Sequence, residues 1–200
     1  DPMTIVTGLT LGDVALCANT GAGTITVVSG SPVSWMSGNL LTLTASSSIT
    51  FLASVESAAV GIPDSQVVLS VSAPTVTIGD AGHTATEVTV GTSRMAPPTS
   101  GRVEINASSD LIVYGGGSMM GGGNFIHGVE VGLTGGNLSL LAGPGGFDLA
   151  AVGIESAFDG AFTGDVTMHS LGGGTGIGGN SMSMAVNSLV LDIGGNWTMT

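Results

Sequence analysis

Large apolar side chains alternate with polar or small ones in short segments along the whole chain. Seven segments share the order large, any, large, any, small. They begin at Val14, Leu41, Val67, Val103, Leu138, Val166 and Leu189. A period of two places one set of side chains on one face of a β-strand. The pattern therefore predicts seven short strands, each with one buried face.

These segments recur about every 29 residues, at intervals from 23 to 36. Most are followed by a second alternating segment, as in residues 45–51, and a weaker third one often precedes the next, as in 33–35. The Asn-Gly and Asp-Gly turns of hairpins are missing where strands would have to pair antiparallel. Repetition at such a period indicates stacked repeats. We predict an all-β, right-handed parallel β-solenoid of about seven irregular coils, forming a single domain over residues 1–200.

Glycine recurs with Asn, Asp or Arg just before several segments. The pairs are Gly12-Asp13, Gly101-Arg102, Gly136-Asn137 and Gly164-Asp165. One corner repeated in every coil would explain them.

Gly, Thr, Ser and Val dominate the composition, so helix is disfavoured throughout.

The charge balance excludes several classes of partner. Arg94 and Arg102 are the only basic residues besides histidine, and fourteen carboxylates give a formal net charge of −12. Nucleic acids and anionic membranes attract clustered Lys and Arg, so neither is expected as a partner.

Apolar runs are too short for a membrane span. Cys17 is the only cysteine, which excludes an internal disulfide.

Residues 38–51 and 136–143 resemble the repeat regions of filamentous-haemagglutinin-type exoproteins and autotransporter passengers. That resemblance implies a right-handed β-helix, export to the bacterial surface, and adhesion or fibre formation. We therefore expect an extracellular or cell-surface location.

Catalytic and metal chemistry find little support in the sequence. The carboxylates of Asp110, Asp159 and Asp192 fall at different phases of the repeat, without the close pairing that hydrolases need. His83 and His127 lie too far apart in sequence to suggest one metal site, as do His127 and His169. The glycine-rich segments 115–123 and 172–180 lack the Lys of a phosphate loop and the Asp of a calcium repeat, respectively. We predict no enzyme activity, no cofactor and no metal.

Two surfaces are candidates for binding. Insertions after the second strand of several coils would form a rim with apolar side chains. The rim residues are Met95, Met119, Met120, Phe125, Phe158 and Phe162. No capping helix is expected at either terminus, and Trp197 and Met199 form the last inward pair. The chain would then be either an excised piece of a longer solenoid or a subunit whose open ends stack.

We consider three functions, in descending order of support, of which the two surfaces favour the first two. The first is a structural subunit that self-associates head to tail into a surface filament. The second is a segment of a large adhesin that binds a glycan or cell-surface receptor through the rim. The third is a β-helix enzyme that degrades polysaccharide.

Overall fold

The computed structural model describes residues 1–82, 84–85, 87–93, 100–115, 123–142, 151–170, 182–185 and 189–199. Within these residues the chain forms one helix, α1 (Pro2–Leu11), and a curled sheet of parallel strands. The strands are β1 (Val14–Ala18), β2 (Thr24–Val27), β3 (Val33–Trp35), β4 (Leu41–Ala45), β5 (Ser48–Phe51), β6 (Val55–Ser57), β7 (Val67–Ile78), β8 (Thr89–Thr92), β9 (Arg102–Tyr114), β10 (Gly123–Ala142), β11 (Ala151–Phe162), β12 (Val166–Ser170), β13 (Met182–Ala185), β14 (Leu189–Ile193) and β15 (Trp197–Met199). The predicted parallel β-architecture is confirmed.

The strand pairings follow three ladders, and long strands contribute to more than one. The first ladder runs β1, β4, β7, β9, β10, β11, β14. The second runs β2, β5, β7, β9, β10, β12, β15. The third runs β3, β6, β8, β10, β11, β13. Paired residues lie from 22 positions apart, as for Val33 and Val55, to 36 apart, as for Val90 and Ile126.

Inward side chains of neighbouring strands stack into apolar columns that make up the core. In the second ladder one column contains Ile49, Val76, Leu111, Leu138 and Val166, all fully buried. Burying a branched aliphatic side chain contributes about 1.5–3 kcal/mol. Each added strand therefore extends the core as well as the hydrogen-bonded sheet.

Strands β7 and β12 begin at Val67 and Val166, as predicted, but the register corrects the alignment of three of the seven predicted segments. Leu41 pairs with Leu69, so the first ladder meets β7 two residues after Val67. Leu138 and Val166 belong to the second ladder, where they pair with each other. The first ladder passes through the β10 and β11 segments that include Val131 and Phe158 instead. Val131 and Leu133 keep the alternation, but the sequence pattern assigned them to a weaker third segment, and in β11 the inward position after Phe158 is Gly160.

The expectation that helix is disfavoured throughout, with no capping helix at either terminus, is wrong at the N-terminus. The carboxylate of Asp1 accepts a hydrogen bond from the Met3 amide at 2.9 Å, and Pro2 occupies the first turn. Both features favour helix initiation. Leu9 is fully buried, and α1 packs against β3 and β1. Tertiary burial stabilises a segment whose β-branched residues would otherwise favour strand.

The glycine-containing pairs mark two corners, not one. Gly12-Asp13 and Gly101-Arg102 precede the first ladder, whereas Gly136-Asn137 and Gly164-Asp165 precede the second.

At the second corner four side chains form a polar spine, namely Asp110, Asn137, Asp165 and Asn196. The Asn137 amide donates to Asp110 at 2.9 Å, and the Asp165 and Asn196 backbone amides donate to Asn137 and Asp165, at 2.9 and 2.8 Å. The spine ties successive strands together outside the core.

Candidate functional site

Two of the three phenylalanines of the predicted rim are buried. Phe125 lies in β10 and Phe162 in β11, and both side chains are buried. Phe158 lies within β11 and pairs with Val131 and Leu189. Residues 123–127 and 155–162, which the prediction placed in insertions, belong to β10 and β11. Met95, Met119 and Met120 lie outside the described residues.

The N-terminal end of the sheet has an apolar cleft between α1 and the first strands. It measures about 300 Å³. The lining includes Ile5, Leu16, Ile25, Val27 and Leu43. Leu43 is buried, whereas Leu16, Ile25 and Val27 are only partly buried. The helix therefore covers this end incompletely.

The predicted end pair, Trp197 and Met199, lies in β15 at the other end of the second ladder. Trp197 pairs with Val166 and Met199 with Met168. The Trp197 side chain is 46 % exposed, although it lies in the same column as the buried Val166. An aromatic side chain of this size gains much from burial at an interface.

A polar groove lies on the outer face of the first ladder. Its lining includes Ser70, Ser72, Asn106 and Thr134 together with Arg102 and Glu104. Hydroxyl, amide and carboxylate groups of this kind can hydrogen-bond a polyhydroxylated ligand. The groove is thus a candidate binding surface that the sequence did not indicate.

Arg102 organises the groove by bridging two carboxylates. Its Nε lies 3.0 Å from Glu104 and its Nη1 lies 3.2 Å from Glu130. Desolvation alone would lower the pKa of Arg102, but the hydrogen bonds and charges of both glutamates outweigh it and raise the pKa. Gly132 leaves space for the guanidinium, since a Cβ there would lie 2.5 Å from Nη2. The pairs are partly exposed, so each contributes at most about 1 kcal/mol.

Asn124 is a buried polar residue that sequence reasoning missed. Its carbonyl oxygen accepts from the Val88 amide at 3.0 Å, and its amide donates to the carbonyls of Ala85 and Tyr114 at 3.2 and 2.6 Å. Gly79 has a φ of 78°, and a Cβ there would lie 2.4 Å from the Asn124 amide nitrogen. Asn124 joins three segments of the chain, so its role is structural.

Asp80 closes the turn that follows β7. Its carboxylate accepts hydrogen bonds from the backbone amides of Gly82, Thr84 and Ala85 at 3.1, 2.9 and 2.6 Å. Desolvation opposes ionisation, but these bonds and the Thr84 hydroxyl lower the pKa of Asp80 below its usual 3.8. The turn thus favours the ionised form.

We expect Asp80→Asn to weaken this turn at neutral pH. A carboxyl whose pKa is lowered by folding stabilises the folded state above its unfolded pKa, and that contribution disappears as pH falls through the folded value. The difference in unfolding free energy between the parent and Asp80→Asn should therefore shrink below pH 3.8. Urea titrations at several pH values measure it. If the difference in unfolding free energy stayed constant down to pH 2, the lowered pKa assigned to Asp80 would be contradicted.

The described residues contain no group of three or more His, Cys, Asp or Glu side chains arranged to hold a metal ion. No helix in the described part of the chain is long and apolar enough to cross a membrane. Glu104 and Glu130, two carboxylates at the outer groove, are both engaged by Arg102. No known protein family, curated protein or solved structure matches the chain.

Proposed function

We propose that the chain is a right-handed parallel β-solenoid of about seven coils, each roughly 29 residues long, and that it serves as a structural subunit of an extracellular fibre. The three ladders and their stacked apolar columns support this architecture. Coils spaced about 4.8 Å apart would give a rod about 34 Å long. The resemblance to exported haemagglutinin-type repeats supports a location at the cell surface.

Head-to-tail association is the mode of assembly that we propose. The observation that carries it is the second ladder, whose end strands β2 and β15 each have one partner among the described residues. Beside β2 lies the apolar cleft, and β15 carries the exposed Trp197. Contacts between two different surfaces of identical copies generate an open filament when they do not close into a ring. The function proposed is mechanical and not catalytic.

Electron microscopy and sedimentation of the purified chain test this function. We expect unbranched fibres with a repeat of about 4.8 Å along the axis. Assembly should accelerate as salt rises, because the net charge of −12 makes the copies repel one another. A chain that stays monomeric at high concentration and high salt would contradict the filament.

The outer groove supports a second candidate, an adhesin segment that binds a neutral glycan. Arg102, Glu104 and Asn106 present donors and acceptors beside one another. Titration with a neutral oligosaccharide, followed by NMR, should shift the amide resonances of β9 and β10. Asn106→Ala should weaken binding, whereas Thr24→Ala, on the exposed face of β2, should not. Equal binding by both variants would remove the groove from consideration.

A further inference from the structure

The helix covers only part of the N-terminal end of the sheet. α1 packs on β3 and β1, and the Leu9 carbonyl accepts hydrogen bonds from the Ser37 hydroxyl at 2.5 Å and the Asn39 amide at 2.7 Å. These contacts fix the C-terminal part of α1 over the third and first ladders. The second ladder, which begins at β2, adjoins the open cleft.

The inward side chains of β2 lack the cover that their neighbours have. Ile25 and Val27 are partly buried, whereas their partners in β5, Ile49 and Phe51, are fully buried. The free edge of a strand also presents backbone donors and acceptors that can pair with another strand. This end of the second ladder is therefore suited to a parallel strand with large apolar inward residues.

β15 has those properties and belongs to the same ladder. The pairings place Trp197 in one column with Ile25, and Met199 in one column with Val27. Thr198 likewise shares an outward column with Thr26, and both are exposed. If a strand with this register were added before β2, the Trp197 side chain would continue the column of Ile25 and the Thr198 side chain that of Thr26.

We propose that β15 of one copy pairs in parallel with β2 of a second copy, and that Trp197 enters the cleft beside α1. This contact rests on the filament function proposed above and specifies its interface. Trp197 is the aromatic anchor, and the cleft formed by Ile5, Leu16 and Ile25 receives it. Because α1 blocks the third and first ladders at this end, only the second ladder pairs directly, and α1 is retained at the junction.

Engineered cysteines test the register. In a Cys17→Ser background, Thr26→Cys and Thr198→Cys would be neighbours across the interface, at a strand spacing of about 4.8 Å that suits a disulfide. We expect oxidation to produce a covalent series of dimers, trimers and longer species. The matched control replaces Thr26→Cys by Thr42→Cys, which lies on the first ladder and should give no such series. Equal cross-linking of both pairs would overturn the register.

Substitution of the anchor tests the energetics. Trp197→Ala should raise the critical concentration for assembly about 30-fold, the effect expected for a central aromatic residue of an interface. Met36→Ala is the control, since Met36 is 82 % exposed and does not line the cleft. Circular dichroism checks that each variant is folded. If Trp197→Ala does not fold, Trp197→Phe replaces it in the test, and we expect Trp197→Phe to retain part of the assembly.

The outcomes separate the contact from the function on which it rests. If the parent forms fibres but Trp197→Ala assembles equally well and the cysteine pair does not cross-link, the contact is wrong and the filament stands. If the parent does not associate at all, both proposals fail. Selective cross-linking together with the loss of assembly in Trp197→Ala supports both.

Discussion

Leu43→Asp is expected to abolish folding or to lower the free energy of unfolding by about 4 kcal/mol or more. Leu43 is almost completely buried and lies between Leu16 and Val71 in the first ladder. An aspartate there would place an unpaired charge in the apolar column, where desolvation is costly. Ile105→Asp should have the same effect, because Ile105 pairs with Val71 in the next step of the ladder. Chemical denaturation monitored by circular dichroism measures both.

Thr44→Asp is the matched control for these substitutions. Thr44 is adjacent to Leu43 but points to the outer face, where it pairs with Cys17 and Ser72. Surface substitutions of this kind usually change stability by no more than about 0.5 kcal/mol. If Thr44→Asp and Leu43→Asp destabilised equally, the inward and outward faces of the first ladder would be wrongly assigned.

Asn124→Leu is expected to cost about 3–5 kcal/mol, although leucine is similar in size and apolar. The substitution removes the partners of the Val88 amide and of the Ala85 and Tyr114 carbonyls. A buried polar group left without a partner costs about 1–3 kcal/mol. Urea denaturation gives the change in the free energy of unfolding.

Asn106→Leu provides the comparison for Asn124→Leu. Asn106 is exposed on the outer face of β9, so the same chemical change should be nearly neutral there. A small effect at Asn124 would show that water or a shifted backbone replaces its hydrogen bonds. That result would exclude Asn124 as the link between the three segments.

Alternation of apolar residues predicted strands with one buried face, and the recurrence of those strands about every 29 residues, without hairpin turns, predicted that they stack in parallel. The pattern also aligned the segments at Val14, Leu41, Val103 and Leu189 correctly, since all four residues lie in one column of the first ladder. Val131 and Leu133 were assigned to a weaker third segment, and in β11 Gly160 stands at an inward position, so the more regular segments at Leu138 and Val166 were assigned to the first ladder in their place. A glycine has no side chain to reveal which face of a strand it occupies.

The sequence held only a start signal for α1, Asp1 before Pro2, and no signal for Asn124, because both depend on contacts between distant residues. The helix is stabilised by Leu9 packing against β3, which no local propensity records. Asn124 reaches Ala85 across 39 positions of the chain. The inward phase of Trp197, in contrast, follows from its position in the last alternating segment, and the structure places it in one column with Val166. The cleft at the opposite end depends on α1 and therefore emerged only with the fold.

The polar spine restricts how a chain of this kind could lengthen by gene duplication. Its members alternate between acid and amide, in the order Asp110, Asn137, Asp165, Asn196. Copying one repeat would place two carboxylates, or two amides, on adjacent strands about 4.8 Å apart. Neighbouring carboxylates repel, and the first of the two would lose the side-chain amide donor that the following repeat now supplies. Copying two repeats preserves the alternation, so growth in pairs is the route that leaves every acid beside an amide.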